Sequence, residues 1–371
     1  MNIVIFGLSI SSAWGNGHAS LLRGLFQALH RQGHQIHFFE RDAPYYASHR
    51  DAWQFDYAQL HLYSDWNQEL TRVQALLAGA DVGLVTSYCG DGRAACQAVL
   101  NAGLPRTVFY DMDTPVTLAL LEQGESVPYI PENGLGGFDL VLSYTGGKTL
   151  QLLRRNLGAK RAATLYGWVD PVVYHRVAIR PEFEADLSYL GTYSADRQPA
   201  LDSLLMDAAR RLGNRRFVIG GAMYPAPQTW PANLRHYDHV APPEHAAFYS
   251  SSPLTLNITR ASMAAMGYCP SGRLFEAAAC GTAVLSDWWD GLESFFQPGE
   301  EILIATNSAD TMASLTRPAD ALKRIGERAR ERALDCHTAE IRARRLVALI
   351  EEPRDESETA DVCLSLSKGA S

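Results

Sequence analysis

The sequence predicts an α/β protein made of two Rossmann-like, doubly wound domains. Its 371 residues are enough for about two domains of ordinary size. Short apolar runs alternate with segments of helical periodicity along the chain, an order typical of parallel sheets covered by helices on both faces. Hydrophobic residues make up 47% of the chain and charged residues 20%, which is ordinary globular composition and excludes wholesale disorder.

The first domain is predicted over residues 1–170. It opens with a buried strand at 3–8, and a Gly-rich turn at 14–18 leads into an amphipathic helix. That helix is expected to end at Gly33, because the left-handed conformation of a helix C-cap favours glycine. Further apolar runs predict strands at 35–39, 82–88, 107–111 and 139–143.

The second domain is predicted over residues 171–352. Pro171 and Pro181 flank a stretch without periodicity, which marks the boundary. A new series of strands and helices follows, and two long helices with basic faces, near 319–335 and 338–350, complete it. The tail 353–371 is polar and aperiodic, so we expect it to be disordered. Parallel sheets bind ligands at the carboxyl ends of their strands, so two such domains predict a shared central cleft for two substrates.

Charge and cysteine content exclude several classes of protein. The 33 basic and 41 acidic residues give a net charge of −8, which argues against a nucleic-acid partner. The six cysteines are scattered without zinc-site spacing and are expected to be free thiols in the cytoplasm. The amino terminus lacks the basic region of a signal peptide, and no apolar run is long enough to predict a transmembrane segment.

The segment from Pro270 to Ser286 carries the most chemical information. Ser271 and Gly272 are predicted to open a helix, whose free N–H groups favour an anion. Arg273 adds a donor for phosphate oxygens, and Glu276 places a carboxylate one turn later that can accept hydrogen bonds from a ribose diol. Alternatively, Arg273 and Glu276 form a plain ion pair along the helix.

This segment resembles the donor-site signature of glycosyltransferases with the GT-B fold, in which a Glu-Ala-x-x-x-Gly helix holds the nucleotide ribose. The resemblance is closest to the CgeB-like (spore-maturation protein) family, with a C-terminal domain like that of group 1 glycosyl transferases, and it covers about residues 1–350. It is carried by Trp14-Gly-Asn-Gly-His18 and by the segments at 110–117, 139–147, 165–170, 189–197 and 256–260. It implies a metal-independent transferase whose nucleotide-sugar donor is a substrate bound by the C-terminal domain. No other cofactor is implied, and the acceptor belongs to the N-terminal domain.

One position departs from the pattern of retaining GT-B enzymes. Many of these enzymes carry two glutamates eight positions apart, but the residue eight before Glu276 is Tyr268. The sequence therefore leaves open whether the transfer is inverting or retaining.

Several other residues are predicted to bind the donor. Gly191-Thr-Tyr193 follows a strand and suits a backbone phosphate cradle, and Arg197 and Arg260 are candidates for the diphosphate. Surface ion pairs remain the alternative for each arginine. The wall of the base pocket is predicted near Gly221, His239 and Val240, although the glycine also suits a plain turn.

His18 is the leading candidate for the catalytic base. It follows the acceptor-side residues Trp14, Asn16 and Gly17 at the start of a helix, where an imidazole can accept a proton from an acceptor hydroxyl. Asp113 is the second candidate, with a helix cap as its alternative role. A set of aromatic residues suits either an acceptor groove or the core: Tyr45, Tyr46, Trp53, Tyr57, Tyr63 and Trp66.

The prediction is thus a glycosyltransferase of the hexosyltransferase type with an unspecified acceptor and no metal. Two alternatives stay open: a nucleotide-sugar binding protein whose catalysis has decayed, and a two-domain epimerase or phosphorylase that acts on related sugars.

Overall fold

The computed structural model describes residues 1–225 and 230–353. These residues form two compact units, each with its own sheet. Residues 1–166 and the helix Ala339–Glu351 belong to the first unit, and residues 167–338 form the second. We call Ala339–Glu351 the return helix, because the chain comes back to the first unit there.

The first unit contains a seven-stranded parallel sheet with the strand order β3-β2-β1-β4-β5-β6-β7. Its strands are β1 (Asn2–Gly7), β2 (Gln35–Arg41), β3 (Gln59–Tyr63), β4 (Val82–Thr86), β5 (Arg106–Asp111), β6 (Leu140–Ser143) and β7 (Ala162–Thr164). Its helices, besides the return helix, are α1 (Gly17–Arg31), α2 (Pro44–Ala47), α3 (Trp66–Leu77), α4 (Gly92–Asn101), α5 (Thr114–Glu122) and α6 (Lys148–Leu157).

The second unit contains a six-stranded parallel sheet with the order β10-β9-β8-β11-β12-β13. Its strands are β8 (Leu187–Leu190), β9 (Phe217–Gly220), β10 (Leu234–Tyr237), β11 (Leu254–Asn257), β12 (Ala283–Ser286) and β13 (Leu303–Ile304). Its α-helices are α7 (Gln198–Leu201), α8 (Asp207–Arg211), α9 (His245–Ser250), α10 (Ala261–Met266), α11 (Gly272–Ala279), α12 (Ser308–Leu315) and α13 (Ala319–Cys336). A π-helical segment, Asp202–Met206, joins α7 to α8.

Both sheets follow the Rossmann order, in which the first strand of the unit lies at the centre and the chain winds outwards on either side. The order reverses between β1 and β4 in the first unit and between β8 and β11 in the second. Such a reversal opens a crevice beyond the carboxyl ends of the strands, where ligands bind. The predicted fold class, two doubly wound α/β domains, is confirmed by these two strand orders.

The two hydrophobic cores are separate, which explains the division into two units. Buried side chains of the first sheet, including Val4 and Phe109, belong to one cluster. Leu187, Ile219 and Leu256 belong to another. These strands are continuous apolar runs because helices cover both faces of each sheet.

The domain boundaries differ from the prediction at the last helix, which had been assigned to the second domain. The return helix packs on α1, and Leu346 and Ile350 on it are buried. Arg106 and Arg161 fasten its end by donating 2.8 Å hydrogen bonds to the carbonyls of Ile350 and Leu349. The domain boundary predicted near residue 170 lies close to the point where the chain first passes from the first unit to the second, at residues 166–167. Most of the tail predicted at 353–371 lies outside the described residues.

Candidate active site

His18 and Asp113 form a hydrogen-bonded pair at the carboxyl edge of the first sheet. His18 is the second residue of α1, and its Nε2 lies 2.8 Å from Oδ2 of Asp113, which immediately precedes α5. The sequence had offered these residues as rival candidates for the base, and the structure brings them together. The residues are 95 positions apart, and each follows a strand of the same parallel sheet.

The loop before α1 holds His18 firmly. Asn16 is buried, and its Oδ1 accepts a 3.1 Å hydrogen bond from the backbone N–H of His18. The Asn16 amide donates in turn to the carbonyls of Ser9 and Ser12, at 3.1 Å each. Asn16 is therefore the helix N-cap and supports the histidine. Trp14 stacks on His49, with the ring centroids 4.7 Å apart, and remains partly exposed.

The pairing determines which nitrogen of His18 is free to accept a proton. The Asp113 side chain makes no capping bond to α5, so its carboxylate is available to take the Nε2–H of His18. In that tautomer Nδ1 keeps its lone pair, and the atom is buried without a hydrogen-bond partner among the described residues. This arrangement, a base oriented by a carboxylate, is the chemistry needed to deprotonate a hydroxyl.

A second carboxylate, Asp111, lies behind the pair at the end of β5. It is completely buried, and its Oδ1 accepts a 3.0 Å hydrogen bond from the backbone N–H of Asp113. Burial raises the pKa of Asp111 to about 7. The sequence singled out Asp113 as a candidate and did not reveal that Asp111 is buried, because burial depends on the fold.

Glu40, on β2, binds the loop after β1, where many Rossmann-like domains bind phosphate. Its buried carboxylate accepts hydrogen bonds from the backbone N–H groups of Ile10 and Ser11, at 2.7 and 3.0 Å, and from the hydroxyl of Ser9 at 2.7 Å. The donors that would bind a phosphate in the first unit are therefore already used by the protein itself.

In the second unit, three arginines gather at the carboxyl edge of the sheet. Arg273, in the first turn of α11, donates through Nη1 to Asn257 Oδ1 at 3.1 Å and lies over the ring of Tyr189. Arg197 donates through Nη2 to the carbonyl of Thr192 at 2.6 Å. Burial lowers the pKa of Arg197, and the positive charges of Arg273 and Arg260 lower it further.

The positive charge of this arginine cluster is only partly balanced. Asp196 is a nearby carboxylate that acts on Arg197 and Arg260, and it binds the N–H of Ala261. The ion pairs found among residues 1–225 and 230–353 include none of the three arginines, so the surface ion pairs considered as alternatives are not formed. Nε of Arg197 is buried without a hydrogen-bond partner. Such a cluster is suited to bind a polyanion.

Two glycines keep the loops after β8 and β9 against this cluster. A Cβ atom on Gly221 would lie 2.0 Å from the carbonyl oxygen of Gly191, and one on Gly191 would lie 2.9 Å from Nη2 of Arg273. The N–H of Tyr193 bonds to the carbonyl of Ala222 at 2.9 Å and ties the two loops together. Glycine is therefore required for the close approach of the two loops.

Glu276 does not pair with Arg273, although the two residues share α11. Its Oε2 accepts a 3.0 Å hydrogen bond from the hydroxyl of Tyr249 instead. Burial raises the pKa of Tyr249 and the negative charge of Glu276 raises it further, which keeps the phenol protonated as the donor. Oε1 lies on the side of Gly272, near the start of the helix. Ser271 is the N-cap residue of α11, and its side chain makes no capping bond.

The predicted base-pocket residues take different positions. Val240 is buried and packs towards Gly220, whereas His239 is exposed. The predicted residue Tyr193 belongs to an aromatic group beside Gly191 whose other members sequence reasoning missed: Tyr224, Trp230 and His236. The Tyr224 hydroxyl donates to the carbonyl of Gly191 at 3.2 Å. Spacing did not reveal the group, because its members come from three separate loops and strands.

The described part of the chain contains no group of three or more His, Cys, Asp or Glu side chains arranged to hold a metal ion. Likewise, no helix within it is long and apolar enough to cross a membrane.

Part of the chain matches a known protein family. Residues 197–348 match the profile of a family described as glycosyl transferase-like. This segment contains all three arginines and Glu276. No curated protein sequence matches the chain.

Solved structures of glycosyltransferases share the fold over nearly the whole chain. Sucrose-phosphate synthase from Thermosynechococcus elongatus is 13% identical, with a TM-score of 0.66 over 94% of this chain and 98% of that one. HepE from Anabaena, in complex with UDP-glucose, is 11% identical, with a TM-score of 0.62 over 94% and 99%. An alpha-glucosyltransferase in complex with UDP is 12% identical, with a TM-score of 0.68 over 95% and 100%. The chain therefore has the GT-B fold of these enzymes.

Proposed function

We propose that this protein is a glycosyltransferase that moves a sugar from a nucleotide-sugar donor to an acceptor hydroxyl. The observation that carries the proposal is the arginine cluster beside Glu276, inside the segment that matches the glycosyl transferase-like family. HepE and the alpha-glucosyltransferase were solved with UDP-glucose and UDP, which supports a UDP-sugar as the donor. The motifs of the first loop and of α11 support a CgeB-like enzyme.

Each part of the donor has a counterpart in the second unit. Arg197, Arg260 and Arg273 neutralise the diphosphate, so the proposed enzyme needs no metal ion. Glu276 accepts hydrogen bonds from the ribose hydroxyls, and Tyr249 keeps its carboxylate in place. The aromatic group with Tyr193 and Tyr224 supplies ring faces for the base.

The proton moves through the first unit. As the acceptor oxygen attacks the anomeric carbon, the hydroxyl proton passes to the imidazole of His18, and the bond from that carbon to the diphosphate breaks. The nucleoside diphosphate leaves with the electron pair. Asp113 accepts the Nε2–H bond and stabilises the imidazolium that forms. A base oriented in this way favours an inverting transfer, and it argues against a binding protein with decayed catalysis and against the epimerase or phosphorylase alternative.

Replacing Arg273 or Glu276 tests donor binding. We expect Arg273→Ala to weaken the binding of UDP by about 1.5–3 kcal/mol, the usual range for hydrogen bonds to charged groups. Glu276→Ala is expected to weaken it by about 1–3 kcal/mol through loss of the ribose contact. Isothermal titration calorimetry measures both. Arg216→Ala, which removes an exposed ion pair with Glu184 in the same unit, is the control. Unchanged UDP affinity in folded variants would remove the donor assignment.

Replacing His18 tests the chemistry. We expect His18→Ala to lower turnover about 10²–10⁴-fold, the usual range for loss of a general base, with the affinity for UDP unchanged. Asp113→Asn should lower turnover less, because the imidazole remains. The exposed His175→Ala serves as the control. Nucleoside diphosphate release with excess EDTA measures both turnover and metal independence. A retained anomeric configuration, or activity restored only by Mg²⁺ or Mn²⁺, would contradict the mechanism.

A further inference from the structure

The first unit contains a cavity that has no part in the proposed reaction. Its volume is about 570 Å³, and it lies where β2 and β3 begin, beside the end of α1. His18 and Asp113 lie at the opposite edge, beyond the carboxyl ends of the strands. From its lining we propose that this cavity is a second binding site, for a neutral oligosaccharide. Its volume falls within the range of ordinary ligand pockets, roughly 300–1,000 Å³.

Aromatic rings form one wall of the cavity. Trp53, Phe55 and Tyr57 all line it, and the last two have ring centroids 5.4 Å apart. Trp53 is 65% exposed, a large fraction for a tryptophan. The apolar faces of sugar rings pack on such aromatic surfaces while their hydroxyls stay hydrated.

Trp53 is held in place although it is exposed. The guanidinium of Arg50 lies 4.4 Å from the centre of the Trp53 ring. Arg50 is itself fixed by Asp42 at 2.6 Å and by the hydroxyl of Ser11 at 2.9 Å. A fixed, exposed ring loses little conformational entropy when a ligand stacks on it, so the wall is preorganised for binding.

The segment that carries the rings is also fixed at both ends. The N–H groups of Asp51 and Ala52 donate to the carbonyl of Ser11, at 3.0 and 3.1 Å. Phe55 and Ala58 form an antiparallel bridge across a tight turn. The guanidinium of Arg23 lies 5.7 Å from the Phe55 ring and pairs with Asp51.

The polar lining favours an uncharged ligand. Gln35, Gln54 and Gln59 are exposed and lie on the cavity wall. Each amide supplies both donors and an acceptor, as vicinal hydroxyls require. Burial lowers the pKa of His37, which is therefore neutral at pH 7. Asp56 adds one carboxylate to the lining, which accepts hydrogen bonds from hydroxyls and repels anions. His30 also lines the cavity.

Saturation-transfer NMR on the full chain tests the proposal with maltohexaose, cellohexaose and chitohexaose as probes. We expect at least one hexasaccharide to bind at millimolar concentration or below. Trp53→Ala should weaken that binding by about tenfold or more, which corresponds to about 1.4 kcal/mol. The exposed Gln54→Ala is a second variant whose fold is not at risk. Trp288→Ala, an exposed tryptophan of the second unit, should bind as the unaltered protein does.

Binding that persists in His18→Ala and with saturating UDP separates this cavity from the acceptor site of the proposed reaction. The assignment is overturned if none of the three probes binds at millimolar concentration, or if Trp53→Ala and Gln54→Ala bind them unchanged. It is also overturned if only a heparin-derived hexasaccharide binds, because the ligand would then be anionic.

Discussion

Two aspartates on either side of Met112 show how environment separates chemically identical side chains. Asp113 is partly exposed, with 21% of its side chain accessible, and it pairs with His18. Asp111 is fully buried, and burial raises its pKa to about 7. Burial thus brings the pKa of Asp111 close to neutrality, while Asp113, two residues away, stays partly exposed beside His18.

Asp111 should make the stability of the first unit depend on pH. Its folded pKa lies above its ordinary value of 3.8, so between about pH 4 and 7 the unfolded chain is ionised while the folded protein keeps the proton. The free energy of unfolding therefore falls as the pH rises through this window, by at most about 1.4 kcal/mol per pH unit from this group. Asp111→Asn should remove this slope in urea denaturation.

Asp238→Asn is the control for this experiment, because 97% of the Asp238 side chain is exposed. It should keep the slope of the unaltered protein. Equal slopes in Asp111→Asn and the unaltered protein would show that Asp111 does not titrate in this range.

Candidate site residues could be selected from the sequence where they belong to a local motif. His18 stands out because it follows a Gly-rich turn, and Arg273 and Glu276 because they open a helix after a loop. Their partners were not predictable, because Asp113 and Tyr249 reach them only through the order of the strands. The identity of a hydrogen-bond partner at a distance of 95 residues depends on topology, which a local pattern does not contain.

The edge of the first sheet carries a pair of stacked histidines. Nδ1 of His37, on β2, lies 3.1 Å from Nε2 of His61, on β3. The His61 ring also stacks on Phe39. Burial, with a smaller contribution from the neighbouring His37, lowers the pKa of His61 to about 4. Two protonated imidazoles at this distance would repel each other, so at least one of the two rings must be neutral.

Acid should therefore weaken the pairing of β2 with β3. Between about pH 6.5 and 4 the unfolded chain binds a proton at His61 that the folded protein does not, so stability falls as the pH drops through this window. Because the pKa of His61 falls from 6.5 to about 4 on folding, the effect is at most on the order of a few kcal/mol. His61→Phe keeps the ring stacking and should lose most of this acid sensitivity, which thermal unfolding at several pH values measures.

His175→Phe is the control, since His175 is exposed in the second unit and should leave the acid sensitivity intact. An unchanged acid dependence in His61→Phe would assign the effect to other groups.

At the scale of the whole molecule, the return helix is the feature that sequence reasoning assigned to the wrong unit. Periodicity showed that residues 338–350 form a helix with one apolar face, but not which sheet covers that face. The contacts with α1 and the bonds from Arg106 and Arg161 place it in the first unit. The number of doubly wound units and the type of fold were predictable, because strand and helix alternate regularly in both halves.

Shortening a buried side chain of the return helix should destabilise the first unit. Leu346 is 2% exposed, so we expect Leu346→Ala to lower the free energy of unfolding by about 2–5 kcal/mol. Hydrogen exchange should accelerate at the backbone amides of β1, β2 and β4, and change little in β8 to β12. Leu322→Ala, at a buried position of α13, should show the reverse pattern. Faster exchange confined to the second unit in Leu346→Ala would contradict the assignment of the helix.

The return helix also has a consequence for the order of folding during synthesis. Residues 1–166 leave the ribosome first, but the helix that covers α1 follows only after the roughly 170 residues of the second unit. At about 5–20 residues per second, that delay lasts on the order of ten to thirty seconds. The second unit, by contrast, is one continuous segment of the described chain. All of its residues are therefore synthesised in succession, without waiting for a later segment. The nascent chain therefore exposes the surface of α1 that the return helix later covers throughout that interval.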